Sequence, residues 1–162
     1  MDFSSRLKVE DFRRRSEQIG TLVGWIQSLE FNLRYWLLRA GNFPLEFPDH
    51  VGQKVQKTPM TDYRSLGQLI AAYNGQLSEV ESKYRLSTEI VAIRDAVAHG
   101  RVLALSLEGP LTIYCFGPPK DGVVETTAMR PMTPEGLSAD IDLLREQWIL
   151  LHDCGSRRGY VQ

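Results

Sequence analysis

The stretch Glu89-Ile-Val-Ala-Ile-Arg-Asp-Ala-Val-Ala-His-Gly100 decides how this chain is read, because it joins a helical apolar repeat to a compact polar group. Leu86, Ile90, Ile93 and Val97 recur at spacings of four, three and four, the period of one helix face, so they predict a stripe packed in a core. At about 100° per residue, Arg94 falls at the edge of that stripe, with Asp95 and His99 further round and one turn apart. Val91, Ala92, Ala96 and Ala98 occupy the flank beside them. Being mostly small, they leave room for a second backbone or a ligand to approach the polar groups. Gly100 can take the left-handed conformation that commonly ends a helix, which sets His99 in the last turn.

Upstream, Ser78 with Glu79 and Glu81 in the first turn predicts that this helix begins at residue 78 and runs unbroken to His99. Thr61-Asp62 offers N-cap chemistry for a shorter helix, Tyr63 to Tyr73, with Leu66, Leu69 and Ile70 inward and Asn74-Gly75 as its stop. Asn42 to Pro59, with three prolines, reads as a long connection that carries His50 on the surface. From Val9 to Ala40, the positions Phe12, Ile19, Leu22, Val23, Ile26, Leu29, Leu33, Trp36 and Leu37 predict one long amphipathic helix. Gly20 and Gly24 on it fit either a close helix contact or a local weakening. Arg13-Arg14-Arg15 point in three directions on a helix, which fits a solvated face better than an RNA-binding patch.

Downstream of Gly100 the period changes to two. Arg101-Val-Leu-Ala-Leu-Ser-Leu-Glu108 and Leu111-Thr-Ile-Tyr-Cys-Phe116 predict a hairpin about Gly109-Pro110. Pro118-Pro-Lys-Asp-Gly122 predicts a second turn, and Val123 to Met129 a third strand. Thr133-Pro134-Glu135 is a helix start, with Leu137, Ile141, Leu144, Trp148 and Leu151 keeping one face. Residues from His152 onward, including Cys154, Gly155, Arg157, Arg158 and Gly159, fall outside that pattern and are expected to form a mobile tail.

At 162 residues the chain has the length of one domain, with 43% hydrophobic and 24% charged residues. A formal net charge of -1 provides no global field toward nucleic acid, so any RNA contact has to come from a local patch. The start, Met-Asp-Phe-Ser-Ser-Arg, lacks the basic-then-apolar pattern of a signal peptide, and no apolar run has the length of a bilayer span. A cytoplasmic protein with no membrane contact is therefore expected. Cys115 and Cys154 stand far apart without a metal-ligand spacing and read as buried small hydrophobes. No phosphate-binding loop or dinucleotide fingerprint is present, and neither a cofactor nor a metal is expected.

Arg94, Asp95 and His99 spell R-D-x-x-x-H, and the first helix carries Glu30 and Arg34 within Leu-Glu-Phe-Asn-Leu-Arg. In these features the chain resembles the HEPN domains, small helical-bundle proteins whose signature is an Arg, usually followed by a polar residue, and a His four to six positions later. The resemblance implies a mainly α protein, an antiparallel helical bundle, here with a small antiparallel β-meander between the motif helix and the last helix. It further implies a metal-independent endoribonuclease of a toxin or phage-defence type, with a composite site where two subunits of a homodimer pair. Arg94 and His99 would be catalytic and Asp95 would assist them, with Glu30 and Arg34 in support. RNA is the implied substrate. A cognate antitoxin or a nucleotidyltransferase-type protein is the implied partner.

The residue types suit that chemistry. RNA cleavage without metal needs a group to take the 2′-hydroxyl proton, a group to protonate the leaving oxygen, and a fixed cation on the transition state. Histidine titrates near neutral pH, and arginine stays charged and can grip two phosphate oxygens. The same residues also fit a purely stabilising role, cations at the negative end of the helix dipole and Asp95 paired with His99 at i, i+4. A non-catalytic HEPN-like module that binds a partner protein or accompanies a nucleotide enzyme is thus the alternative, and a helical bundle binding a small ligand is a third.

Overall fold

The computed structural model describes residues 3–103 and 111–160, with side chains from residue 10 onward. Its elements are, in order, α1 (Phe3–Ala40), α2 (Leu66–Gly75), a 3₁₀ helix (Glu79–Tyr84), α3 (Glu89–His99), β1 (Arg101–Leu103), β2 (Thr112–Phe116), β3 (Thr126–Pro131) and α4 (Pro134–Arg157). The protein is mainly α, with a small antiparallel sheet between α3 and α4. Among the described residues no helix is long and apolar enough to cross a membrane. The chain forms two compact units, Met1–Ile26 with Glu89–Leu144, and Gln27–Thr88 with Arg145–Gln162, whose boundaries fall inside α1 and α4.

The first unit holds the motif helix and the sheet. Strand order is β1-β2-β3, with Arg101 opposite Tyr114, Val102 opposite Ile113, and Tyr114 opposite Met129. Ile113 and Tyr114 of the central strand are buried, and α3 packs on β2 with Ile90, Ile93 and Ala96 inward. The β2–β3 connection closes as Lys120 bridges Val123 about Asp121 (φ 51°) and Gly122 (φ 77°), the Asp-Gly pair that tolerates two successive left-handed residues. The expected Ala104–Glu108 part of the first strand and the Gly109-Pro110 turn lie outside the described residues. At the start of α4, Thr133 Oγ1 accepts from the Gly136 N–H at 3.1 Å, and Pro134 takes the first helical position.

The second unit is built on Leu29, Leu33, Trp36, Leu37 and Leu38 of α1, Leu66, Leu69, Ile70 and Tyr73 of α2, and Leu151 and Cys154 of α4, all buried. Trp36 meets the rings of Tyr73 and Tyr160 edge-on at 4.7 and 5.5 Å. Cys154 is fully buried as expected, whereas Cys115 is half-exposed.

Several expectations are corrected. The helix predicted from Ser78 to His99 is broken: Ser78 and Glu81 form a capping box, but on a 3₁₀ helix, and Arg85 is extended. Asn74 takes both backbone groups of Leu86, donating from Nδ2 to its carbonyl at 3.0 Å and accepting its N–H at 2.9 Å, while Gln147 Oε1 accepts the Ser87 N–H at 2.7 Å. With those groups satisfied by side chains, the backbone has no need to continue as helix. The second helix starts at Leu66, capped by Ser65 rather than by Thr61-Asp62, because Asp62 is held by two arginines. Ala96 is buried rather than lying open on the polar flank, and Phe12, expected on the inward stripe, is 65% exposed. Among the described residues nothing lies within 4 Å of a Cβ built at Gly20 or Gly24, so no close helix contact there uses them. Gly100 is not left-handed. It is glycine because a Cβ there would lie 2.1 Å from Ile113 Cγ2 and 2.3 Å from the Ala96 carbonyl oxygen.

The tail is also corrected. α4 continues to Arg157, and Arg158 is anchored beyond it, donating from Nε and Nη2 to Glu81 at 2.8 and 2.5 Å and from Nη2 to the Gln76 carbonyl at 3.0 Å. Its guanidinium also lies 4.8 Å over the Trp36 ring.

Candidate functional site

The polar group at the end of α3 forms because one turn of helix separates Arg94 and Asp95 from His99 and because Gly100 lets the chain turn at once into β1. Arg94 Nη1 donates to Asp95 Oδ1 at 2.9 Å and lies 3.2 Å from His99 Nε2. A guanidinium can only donate, so the second contact is a hydrogen bond in the tautomer whose proton sits on Nδ1. Asp95 therefore does not hold the imidazole directly, as the i, i+4 spacing suggested; Arg94 stands between them. The Arg94 side chain is 28% exposed, that of Asp95 53%, and His99 is exposed. Arg94 Nε and Nη2 make no hydrogen bond with any described residue, which leaves three of its N–H donors available to an anion.

One peptide beyond Gly100, the Arg101 guanidinium carbon lies 5.2 Å over the Phe116 ring, and Phe116 stacks on Tyr114 at 6.4 Å with 16° between planes. Sequence reading placed Arg101 and Phe116 on strands and gave neither a role. The signal was there in weak form, as a hairpin whose first strand leaves the helix end, but nothing local marks which ring a cation will cover.

Glu30 and Arg34 belong to the second unit and are bonded within it. Arg34 Nε and Nη2 donate to Glu30 Oε1 at 3.3 and 3.0 Å, Nη2 donates to the Arg64 carbonyl at 2.8 Å, and Nη1 donates to the Pro59 carbonyl, the Asp62 carbonyl and Asp62 Oδ1 at 2.9, 3.1 and 2.9 Å. Arg64 Nε adds a 2.6 Å bond to Asp62 Oδ2. Burial pushes the Asp62 carboxyl up, but the backbone and side-chain hydrogen bonds from Arg64 and that from Arg34 outweigh it and hold the group below the usual carboxylate range. All three nitrogens of Arg34 are engaged, so this cluster fastens the 59–64 segment to α1 and has little capacity left for a ligand.

His50 lies exposed in the long connection, as expected. Arg13 and Arg14 are exposed, as a solvated face requires, and Arg13 pairs with Glu10, whereas the Arg15 side chain, paired with Asp11, is only 18% exposed and departs from that expectation. Among the described residues, no three His, Cys, Asp or Glu side chains gather as metal ligands would. No family model, no curated protein and no solved structure matches this chain.

Proposed function

We propose that the protein is a HEPN-like, metal-independent endoribonuclease of a toxin or phage-defence type, working as a homodimer in which two copies of the Arg94–His99 pair face each other. The observation that carries the reading is the exposed His99 ring with its Nε2 3.2 Å from Arg94 Nη1, one turn of open helix that offers a titratable group beside an incompletely used cation. The stabilising alternative would pair His99 with Asp95. Instead it is exposed, and Asp95 is bonded to Arg94.

In the proposed reaction the scissile phosphate draws Arg94 off His99 Nε2, and the freed Nε2 takes the 2′-hydroxyl proton as the 2′-oxygen attacks phosphorus. The bond from phosphorus to the 5′-oxygen breaks as the protonated His99 of the partner subunit gives its proton to that oxygen. The products are a 2′,3′-cyclic phosphate and a 5′-hydroxyl. The free N–H donors of Arg94 take the charge that builds on the non-bridging oxygens. Asp95 orients Arg94, and through it the imidazole. One acid and one base are needed and each copy carries one motif histidine, which is the chemical reason for the dimer.

Purified protein is expected to cleave RNA with EDTA present and to leave a 2′,3′-cyclic phosphate. His99→Ala and Arg94→Ala should each reduce cleavage by at least about 100-fold, with fold and dimer intact, and Arg157→Ala should not. Cleavage that persists in His99→Ala places the activity elsewhere. A monomer by sedimentation at micromolar concentration removes the composite site. A stable dimer that cleaves none of a varied RNA panel assigns the polar helix end to partner binding instead.

A further inference from the structure

Arg101 differs from the other strongly held arginines of this protein. Arg34, Arg130 and Arg158 are each bonded to a carboxylate, whereas Arg101 makes no ion pair among the described residues and is exposed, with its guanidinium over the Phe116 ring. A ring beneath a guanidinium attracts the cation and limits its rotamers without neutralising it, so the N–H donors stay available to an anion. Phe116 is itself braced by Tyr114, the residue opposite Arg101 in the strand register.

The position of this cation is set by the backbone. Gly100 is pressed between the Ala96 carbonyl and Ile113, which fixes the path from α3 into β1. Arg101 follows His99 by two residues, so their Cα atoms are at most about 7 Å apart. In a chain with a net charge of -1, a guanidinium so close to the motif, with no ion pair among the described residues, is a local attraction for a polyanion that the whole molecule does not provide.

We propose that Arg101, seated on Phe116, binds a backbone phosphate next to the scissile one, so that single-stranded RNA is held at two phosphates, by Arg94 at the reacting phosphodiester and by Arg101 at its neighbour. The assignment deepens the ribonuclease reading and rests on it for the identity of the polymer. An aromatic ring and a guanidinium at a strand end are the groups by which proteins hold single strands, whose backbone can bend to meet both cations.

The test separates binding from cleavage. A fluorescent single-stranded RNA with 2′-O-methyl groups throughout lacks the attacking hydroxyl, so its anisotropy reports binding alone. Arg101→Met should weaken that binding about tenfold at low salt, and should reduce the slope of log K against log salt by about 0.7, the value for one phosphate contact on a single strand. Arg101→Lys should fall between the two, as should Phe116→Leu, which keeps the charge and loosens its seat. A blunt duplex of the same sequence should bind more weakly than the single strand. On cleavable RNA, Arg101→Met should raise KM with kcat within about twofold, the opposite of Arg94→Ala. Arg101 is exposed, so the thermal midpoint of Arg101→Met should match that of the wild type.

Equal affinity and equal salt slope in Arg101→Met would overturn the assignment, and so would a wild-type protein that binds no single-stranded RNA. Cleavage that ignores Arg101 removes the phosphate contact and keeps the ribonuclease reading. Arg101-dependent binding without any cleavage keeps the contact and removes that reading.

Discussion

Arg34 and Arg94 both stand on helices beside carboxylates, and both belong to short motifs that a sequence reader would group together, yet their surroundings are opposite. Arg34 has every guanidinium nitrogen bonded, to Glu30, to Asp62 and to three backbone carbonyls, and its side chain is 14% exposed. Arg94 uses one nitrogen for two contacts and shares its surface with an exposed histidine. The difference separates two uses of the same residue. A saturated arginine fixes backbone, because every donor it has is already matched. An unsaturated one retains donors that an anion can take, and in the proposed function its exposed histidine neighbour would exchange a proton with the bound phosphodiester's nucleophile.

The sharpest way to break this contrast is to remove the saturated arginine. Arg34→Met would leave Asp62 and Glu30 without their shared cation and three carbonyls without a donor. Losing one partner of a largely buried charge network costs about 3 to 5 kcal/mol. For a chain of this size that corresponds to a fall in Tm of about 6 to 20 °C. Arg34→Lys should recover little, since a point ammonium cannot match a planar fork with six acceptor contacts. Thermal unfolding of both variants checks this, and a loss below about 1 kcal/mol would show that the cluster is no more structural than a surface pair.

A smaller effect is expected at the far end of α4. The hydrogen bond from Arg158 holds the Glu81 carboxyl down at about 2, well below its ordinary value. A carboxylate depressed in the folded state contributes stability that is present above its unfolded pKa, near 4.5, and that is lost as pH falls toward 2. Denaturant midpoints of the wild type should therefore decline between pH 4.5 and 2. In Arg158→Met the contribution of Glu81 to that decline should shrink, and an unchanged acid dependence would show that Arg158 is not what holds Glu81 ionised.

What could be read from the sequence follows from how local each cause is. The last turn of α3, the antiparallel order of the three strands and the Thr133-Pro134 start are set by neighbours within a few residues, and the structure has them, with the third strand at Thr126–Pro131 rather than Val123 to Met129. The break at residues 85–88 was not legible, because the groups that end the helix come from Asn74 and Gln147, 12 and 60 residues from their partners. The anchored tail was missed for the same reason, since Glu81 lies 77 positions from Arg158. α4 shows a further limit. Its buried side chains are Leu137, Asp140, Leu144, Gln147, Leu151 and Cys154, a regular helical stripe that includes two polar residues. A search for apolar repeats passes over Asp140, paired with Arg130, and Gln147, bonded to Ser87, and picks Ile141 and Trp148 instead. For the candidate site, the spacing of Arg94, Asp95 and His99 gave the cluster but not its internal order, because whether Asp95 meets His99 or Arg94 depends on side-chain torsions rather than on helical period. Glu30 and Arg34 were found as a pair, but the groups they hold were not legible, since Asp62 and the carbonyls of Pro59 and Arg64 lie 25 to 30 residues away.

The smallest expected effect on stability is at the motif itself, and it tests the other half of the contrast. The Arg94–Asp95 pair is partly exposed on both sides, its partners are adjacent in sequence, and solvent screens it, so its removal should cost less than about 1 kcal/mol. Asp95→Asn should cost least, because an amide oxygen can still accept from Arg94 Nη1 and so preserve the link to His99. Its effect on cleavage should accordingly stay within about tenfold, well short of the loss expected for Arg94→Ala or His99→Ala. Arg94→Ala should thus pair a near-native melting temperature with a large loss of cleavage. If instead it unfolds the protein as Arg34→Met is expected to, then Arg94 is also a structural clamp, and an exposed histidine beside it loses its claim to be chemistry.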